Sequence, residues 1–265
     1  MNDTRHDLGT LDALVARLRG PGGCPWDREQ GFDDIRAYLL EEAHEVAAAI
    51  DRRDWAELEE ELGDLLFQLA FLGRLSREEG RPGLERSIAA VEAKMVERHP
   101  HVFGAASGEA SPPLDAAAVA AAWERRKLDG RRRDGSLLDG VAASMPSLLA
   151  AYRMTQKAAG VGFDWATAGE VLDKVKEELG ELEHALAHTP ERARDEIGDL
   201  LFAIANFARH LGVDPEAAAA RTNLKFRARF RHIEGRLREV GSRPDQATLA
   251  EMDALWNEAK ALEGE

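Results

Sequence analysis

The amino-acid sequence predicts an all-α protein made of two tandem, related helical domains. Alanine, leucine, glutamate and arginine recur at helical spacing, whereas valine and isoleucine are scattered and no segment alternates as a strand does. The string Gly-Asp-Leu-Leu-Phe occurs twice, at 63–67 and 198–202, and a glutamate stands two positions before each copy. Because the two copies lie about half of the 265 residues apart, two domains are favoured over one.

The predicted helices of the first half are separated by residues that break helices. A helix at 11–18 ends before Gly20-Pro21-Gly22-Gly23, and a loop of small residues and prolines occupies 104–113. The helices of this half are predicted at 11–18, 33–51, 55–79, 84–97 and 116–127. The helices of the second half are predicted at 147–158, 168–187, 193–211, 215–240 and 247–262.

These patterns predict domains at 1–128 and 147–265, joined by a linker at 129–146. The run Arg131-Arg132-Arg133 in the linker is typical of a solvated connector. In each half, the helix that carries the repeated string has an apolar stripe and is expected to pack in a bundle. The stripes comprise Leu62, Leu65, Leu66, Leu69 and Leu72 in the first half and Ile197, Leu200, Leu201, Ile204 and Phe207 in the second.

Composition excludes several classes of protein. The net charge of -14 and the pI near 5.1 argue against binding to a nucleic-acid polymer. The single cysteine, Cys24, cannot form an intramolecular disulfide, which fits a reducing compartment. No apolar run has the length of a membrane span, and the polar start lacks a signal-peptide pattern. We therefore expect a cytoplasmic protein with no membrane partner.

Acidic residues recur inside the apolar helices of both halves. Residues three apart share a helix face, so Glu178 converges with Glu181, and Glu196 with Asp199. If the two helices are antiparallel, the four carboxylates face one cavity. The same construction in the first half uses Glu42, Glu45, Glu61 and Asp64.

Clustered carboxylates repel one another unless their pKa values rise or cations join them. A site with oxygen ligands only suits Mg²⁺ or Mn²⁺ better than zinc or copper. Magnesium takes its remaining ligands from water and from phosphates, so a phosphate substrate is expected. The sequence has no P-loop, no dinucleotide fingerprint and no evident catalytic triad, which favours a metal-activated water over covalent catalysis.

A di-iron centre is a competing interpretation, because the spacing Glu-x-x-His occurs in both halves. However, His44 aligns with Gly180, and His184 aligns with Ala48, so the two histidines do not repeat. A duplicated site should repeat its ligands, and the di-iron interpretation is therefore disfavoured.

Basic residues follow the acids in both halves. Each half has a Lys/Arg pair at helical spacing and, later, a tryptophan four residues before a lysine. The pairs are Lys94 with Arg98, Lys225 with Arg229, Trp123 with Lys127 and Trp256 with Lys260. Lysine and arginine suit phosphate oxygens, and a tryptophan either stacks on a base or fills the core.

These motifs together resemble the MazG family, the all-α nucleoside triphosphate pyrophosphohydrolases. The resemblance rests on the doubled Glu-Glu-x-x-Glu and Glu-x-x-Asp, on Gly-Cys-Pro-Trp-Asp at 23–27 and on Arg-His-Pro-His-Val-Phe at 98–103. The segment Gln156-Lys157-Ala158-Ala159-Gly160-Val161-Gly162-Phe163-Asp164-Trp165 also resembles the start of the family's second domain.

The resemblance implies Mg²⁺-dependent hydrolysis of nucleoside triphosphates to nucleoside monophosphate and pyrophosphate. It implies a homodimer in which helical bundles of the four-helix type pack across the subunit interface, with most of the activity in the second domain. It assigns Glu178, Glu181, Glu196 and Asp199 as metal ligands and Glu177 as the residue that orients or deprotonates the water. It assigns the substrate-binding role to Lys157, Lys225, Arg229, Trp256 and Lys260.

The two halves differ where Asn223 in the second corresponds to Glu92 in the first. An additional acid near a triphosphate weakens its binding, so the first domain is expected to be less active or to serve in assembly. The alternative to an enzyme is a regulatory protein that binds metal and nucleotide without efficient turnover. A pyrophosphate assay with Mg²⁺ separates the two.

Overall fold

The computed structural model describes residues 7–103 and 135–263, and all regular structure in these ranges is helical. The prediction of an all-α protein is confirmed. The chain divides into two compact units, one for each half of the sequence. The predicted domain and linker boundaries stay predictions, and the predicted loop at 104–113 and helix at 116–127 lie outside the described residues.

The first unit is built around a hairpin of two long helices. Its helices are α1 (Leu8–Arg19), α2 (Pro25–Glu29), α3 (Phe32–Arg52), α4 (Trp55–Glu78), α5 (Leu84–Arg98) and α6 (Pro100–Phe103). Only Arg53 and Asp54 separate α3 from α4. Arg53 adopts the left-handed conformation with φ 56°, and the Asp54 side chain accepts a hydrogen bond from the Glu57 backbone amide. This tight turn makes α3 and α4 antiparallel neighbours.

The core of the first unit lies where α1 packs on the α3–α4 hairpin. The buried residues are Val15, Ile35, Ala70, Phe71 and Leu75. Arg19 closes this region: its guanidinium lies 5.0 Å from the centre of the Phe71 ring and 2.7 Å from Glu78. Arg19 also donates to the carbonyls of Asp27 and Gln30, which fixes the short helix α2 that the sequence did not predict.

The second unit repeats the hairpin with longer extensions. Its helices are α7 (Ser147–Ala159), α8 (Ala168–His188), α9 (Ala193–His210), α10 (Pro215–Glu239) and α11 (Leu249–Leu262), with 3₁₀ turns at Leu137–Gly140 and Pro190–Arg192. Helices α8 and α9 form the central pair, α7 packs on α9, and α10 pairs with α11.

Local capping sets the helix starts and explains small departures from the predicted bounds. Helix α1 begins at Leu8 because Asp7 accepts from the Thr10 amide at 3.1 Å. Thr167 caps α8 together with Glu170 in a capping box. Thr248 does the same for α11 with Glu251, so that α11 begins at Leu249 instead of 247.

Phe71→Ala should lower the free energy of unfolding of the first unit by about 3–5 kcal/mol, because Phe71 is 1% exposed and its loss leaves a cavity. Urea denaturation followed by circular dichroism measures the change. Phe103→Ala is the matched control: this side chain is exposed, so its removal should change stability by less than about 0.5 kcal/mol. Equal effects of the two variants would contradict the assignment of the core.

Candidate metal centre

Helices α8 and α9 bring three predicted acids of the second unit together. One carboxylate oxygen from each of Glu178, Glu196 and Asp199 lies within 4.8 Å of the other two. Glu178 is 6% exposed and Glu196 is 3% exposed, whereas Asp199 is exposed. The sequence predicted that α8 and α9 would bring their acidic side chains together, and Glu178, Glu196 and Asp199 do lie together.

Glu181 lies outside this close group. It is exposed on α8 and lines an open cavity of about 420 Å³ that also reaches Glu177 and Glu196. Arg192 borders the same cavity. The fourth predicted ligand therefore faces the space beside the cluster, and its role as a ligand stays a prediction.

Two cations that the sequence analysis missed pair with the buried acids. Lys174 Nζ lies 2.8 Å from Glu178 Oε1 and 2.9 Å from Glu177 Oε1. The hydrogen bond with Glu178, and next that with Glu177, raises the pKa of Lys174 above its ordinary value. Arg192 lies 2.7 Å from Glu196 Oε1. In each pair the cation stands four residues before the buried glutamate, the spacing at which helical side chains are neighbours. This spacing could have been recognised in the sequence.

The pairing leaves one buried acceptor unsatisfied. Glu178 Oε2 is buried and has no hydrogen-bond partner among the described residues. A buried oxygen without a partner is costly, and this one belongs to Glu178, which forms the acid group with Glu196 and Asp199. A hard divalent cation with oxygen ligands fits this donor set.

The first unit assembles a similar group with different surroundings. Oxygens of Glu42, Glu45 and Glu61 lie within 4.8 Å of one another, and Asp64 is exposed outside the group. Burial, and then repulsion from neighbouring acids, raises the pKa of Glu61 above its ordinary value. For Glu42, burial is again the largest cause of a raised pKa, opposed by a hydrogen bond from Gln68.

The cations of the second unit have no counterparts at the same spacing in the first. The residues four positions before Glu42 and Glu61 are Tyr38 and Glu57. Gln68 Nε2 instead donates to Glu42 Oε1 at 3.4 Å, and Gln68 Oε1 is buried without a hydrogen-bond partner. Each acid group thus contains three carboxylates, of which two correspond between the units, and the groups also differ in how their charge is compensated.

The predicted substrate-binding residues after α9 lie on the α10–α11 pair. Arg229 is buried, pairs with Glu263 at 2.6 Å, and holds its guanidinium 5.5 Å from the centre of the Trp256 ring. Phe226 packs on the same tryptophan at 5.2 Å. The fold therefore brings Arg229 and Trp256 together. Lys225 is exposed on α10, and Lys260 is half-buried on α11.

The remaining residues that the sequence predicted for substrate binding lie on elements other than the α10–α11 pair or outside the described residues. Lys157 on α7 donates to the Leu137 carbonyl at 3.4 Å. In the first unit, Lys94 and Arg98 lie on α5, while Trp123 and Lys127 lie outside the described residues. Glu92 and Asn223 are both exposed, on α5 and α10.

The histidines considered as di-iron ligands are absent from both acid groups described here. His44 is exposed, and His184 stacks on His188 with ring centres 4.3 Å apart. The two groups within the described ranges consist of carboxylates only.

No helix in residues 7–103 or 135–263 combines the length and apolar character that crossing a bilayer requires.

Comparison with known proteins places this duplicated acid geometry in a family. The description "MazG nucleotide pyrophosphohydrolase domain" matches residues 30–103 and 167–234, which contain both acid groups. A nucleoside triphosphate pyrophosphohydrolase of Escherichia coli (strain K12) is 40% identical over 264 residues, covering 97% of this chain and 98% of the relative.

Two further relatives extend the comparison. The nucleoside triphosphate pyrophosphohydrolase/pyrophosphatase MazG of Thermotoga maritima is 35% identical over 251 residues, or 94% of each chain. An uncharacterized protein of Bacillus subtilis (strain 168) is 38% identical over 97% of this chain but only 52% of its own length. With two matched domains and full-length relatives, the chain belongs to the MazG nucleotide pyrophosphohydrolase family, and its acid clusters suit the divalent metal that such an enzyme suggests.

Proposed function

We propose that this protein hydrolyses ribo- and deoxyribonucleoside triphosphates to nucleoside monophosphate and pyrophosphate, with Mg²⁺ at the acids of the second unit and Mn²⁺ as a substitute. The observation that carries the proposal is the buried, unpaired Oε2 of Glu178, a residue whose carboxylate groups with those of Glu196 and Asp199. Relatives in E. coli and T. maritima that align over almost their whole length are named for this activity. Because nucleoside triphosphates are cytoplasmic metabolites, a cytoplasmic location is part of the proposal.

In this proposal Glu178, Glu196 and Asp199 hold the cation, and Glu181 completes the set from the adjoining cavity. When bound, the cation supplies Lewis-acid stabilisation for the charge that develops on the phosphates. Glu177 is exposed at the rim of the same cavity and is held by Lys174. In the proposal, its carboxylate accepts a proton from the water that attacks the α-phosphorus.

Lys174 and Arg192 compensate the acids while no cation is bound. A cation held by Glu178 and Glu196 would compensate their charge, which would leave both basic side chains available to phosphate oxygens. Because they pair with the proposed metal ligands, we assign to them the stabilisation of the leaving pyrophosphate.

The basic residues of α10 and α11 extend the proposed binding site for the phosphates. Lys225 and Lys260 offer ammonium groups, and Lys157 offers a third from α7. Arg229 joins them by exchanging its partner Glu263 for a phosphate, while Trp256 packs against its guanidinium and keeps it oriented.

For the first unit we propose weak activity or a role in assembly. Its acids lack cations four residues before them, and Gln68 already occupies one oxygen of Glu42. The exposed Glu92, which corresponds to Asn223, adds negative charge where phosphates would approach. The missing cations, the Gln68 contact and the additional acid also favour the alternative function for this unit, which is binding of metal and nucleotide without efficient turnover.

We also propose that the protein is a homodimer. Helices α8 and α9 expose apolar side chains at spacings of three, four and seven residues, the pattern of an unpaired bundle face. These residues are Leu172, Leu179, Leu186, Ile197, Leu201 and Ile204. Pairing with the same face of a second copy would complete a four-helix bundle around the acids.

Incubation with a deoxynucleoside triphosphate and Mg²⁺ should release pyrophosphate as the first product, and EDTA should abolish the release. Replacing Glu178 and Glu181 with alanine should lower kcat at least about 100-fold, because the cation loses two of its proposed ligands. The matched variant in the first unit, Glu42→Ala with Glu45→Ala, should keep most of the activity. Orthophosphate as the first product, or the reverse order of the two variants, would contradict the assignment.

Lys174→Ala should destabilise the metal-free protein, because Glu178 then remains buried without its cation. Since Lys174 is about one-third exposed, the expected loss is about 1–2 kcal/mol, and Mg²⁺ should recover most of it. Thermal denaturation in EDTA and in Mg²⁺ measures both effects. Lys176→Ala is the matched control, since this lysine pairs with Asp173 on the exposed side of the same helix. A loss that Mg²⁺ leaves unchanged would argue against a cation at Glu178.

The pair of substitutions Leu201→Glu and Ile204→Glu should convert a dimer to a monomer, because each places a charge in the proposed apolar interface. Light scattering coupled to size-exclusion chromatography measures the mass, which is compared with 29.1 kDa for one chain. Leu249→Glu, at an exposed leucine on α11, should leave the dimer intact. A wild-type protein with the mass of one chain would refute the dimer.

A further inference from the structure

The second unit contains an apolar pocket that is lined by none of the proposed metal-binding or substrate-binding residues. It has a volume of about 210 Å³ and lies between α7, the segment after α7 and the end of α9. Its lining is predominantly apolar, with the side chains of Phe163, Trp165, Phe202, Met154 and Leu138 among those that form it. Pockets for drug-sized ligands are roughly 300–1,000 Å³, so this one has room for a ring and not for a whole nucleotide.

One polar side chain, Asn206, is buried in this lining. It is 2% exposed, and its Oδ1 accepts a hydrogen bond from Arg209 Nε at 2.9 Å. Within the described residues, the amide nitrogen of Asn206 donates no hydrogen bond. With its oxygen occupied, Asn206 presents an N–H donor to the pocket, and the complementary ligand is an aromatic ring with an acceptor atom.

A cluster of charges holds this donor in position. Arg209 Nη1 donates to Asp164 at 3.0 Å, and His210 Nε2 lies 2.9 Å from the same carboxylate. Burial acts to raise the pKa of Asp164, but the hydrogen bonds from Arg209 and His210 outweigh it and lower the pKa. These bonds tie the segment with Phe163 and Trp165 to the end of α9. The polar group of the pocket is therefore preorganised.

Helix α9 contributes residues both to the acid group and to the pocket. Phe202 and Asn206 follow Asp199 by three and seven positions on α9, or about 4.5 and 10 Å along the axis. Both positions recur on the face of the helix that carries Asp199. A nucleotide whose phosphates face the acids therefore has its base within reach of the pocket.

The first unit provides an internal comparison. With the repeat offset of 135 residues (198 minus 63), Phe202 corresponds to Phe67 and Asn206 corresponds to Phe71. Phe71 is buried in the core, with its ring 6.0 Å from that of Phe67. In the unit proposed to be weakly active, a phenylalanine thus fills the place where the second unit has a pocket and a buried amide.

We infer that this pocket binds the nucleobase of the substrate, with Asn206 donating to an acceptor on the base and the aromatic side chains packing against its ring. The inference rests on the proposed function. It differs from the expectation that the base stacks on Trp256, whose ring already packs against Phe226 and Arg229. Phe163 lines the pocket and is 78% exposed, so its ring has an apolar face available to a bound base.

Binding of uridine to the full-length protein in EDTA tests the pocket without using the metal site, since uridine has no phosphate. Uridine should bind saturably in nuclear magnetic resonance titrations and shift the indole signal of Trp165. Asn206→Phe, which copies the first unit, should abolish binding, and Asn206→Leu should weaken it roughly tenfold through the lost hydrogen bond. Asn257→Leu, an exposed change of the same type on α11, should have no effect.

The inference would be overturned if the wild-type protein did not bind uridine, or if it and both Asn206 variants bound uridine equally well. It would also be overturned if Trp256→Ala lost uridine binding while Asn206→Phe retained it. Thermal denaturation verifies that each variant is folded, and Asn206→Leu serves if Asn206→Phe does not fold.

Kinetics with UTP separates this inference from the proposed function. Asn206→Leu should raise KM about tenfold with kcat nearly unchanged, because the base contact is made equally in the ground and transition states. If UTP is hydrolysed but Asn206→Leu has wild-type KM, the pocket assignment fails and the proposed function stands. If uridine binds in the pocket but no triphosphate is hydrolysed, the proposed function fails and base binding stands.

Discussion

The structure of the second unit depends on the burial of two negative charges between α8 and α9. Glu178 and Glu196 sit in a helix pair where an uncompensated carboxylate would cost several kcal/mol. Lys174 on α8 and Arg192 in the 3₁₀ turn before α9 each stand four residues before a buried acid and provide one cation for it. This compensation is incomplete, since one oxygen of Glu178 keeps no partner. A fold that keeps such an arrangement is poised to accept a cation, which is the basis of the proposed catalysis.

The duplicated hairpin shows how one scaffold supports two different sites. Both units converge three carboxylates, because antiparallel helices joined by a short connection place residues three apart on the same inner face. The residues around the acids then diverge. Tyr38 and Glu57 stand where the second unit has its cations, and Phe71 stands where it has Asn206. The first unit gains a packed aromatic core at that place, whereas the second keeps an open pocket beside its acids.

Much of the helical fold and part of the site could be predicted from periodicity and local signals. The bounds of α4 and α9 follow the apolar stripe closely, and the acid groups follow from the repeated three-residue spacing. The short helix α2 was missed because the bonds that fix it come from Arg19 on another helix. Glu181 was expected in the close group, but it faces the adjoining cavity. Spacing along α8 predicts that Glu178 and Glu181 share a face of that helix. It does not determine which of the two meets the acids of α9. The pocket at Asn206 was missed because α9 meets residues that lie about 40 to 70 positions earlier in the sequence, on α7, on the segment after it and on the preceding 3₁₀ turn.

The sequence by itself determined the helical class, the duplication, the family and the identity of the acids, because these depend on residue type and on spacing along one helix. Only the tertiary structure decided which carboxylates meet, which are buried, and which cations compensate them. It also decided that Trp256 packs with Arg229 on α10 and α11, and that an aromatic pocket opens beside Asn206. These features depend on distances between helices, and such distances are set by packing of whole elements and not by any local pattern.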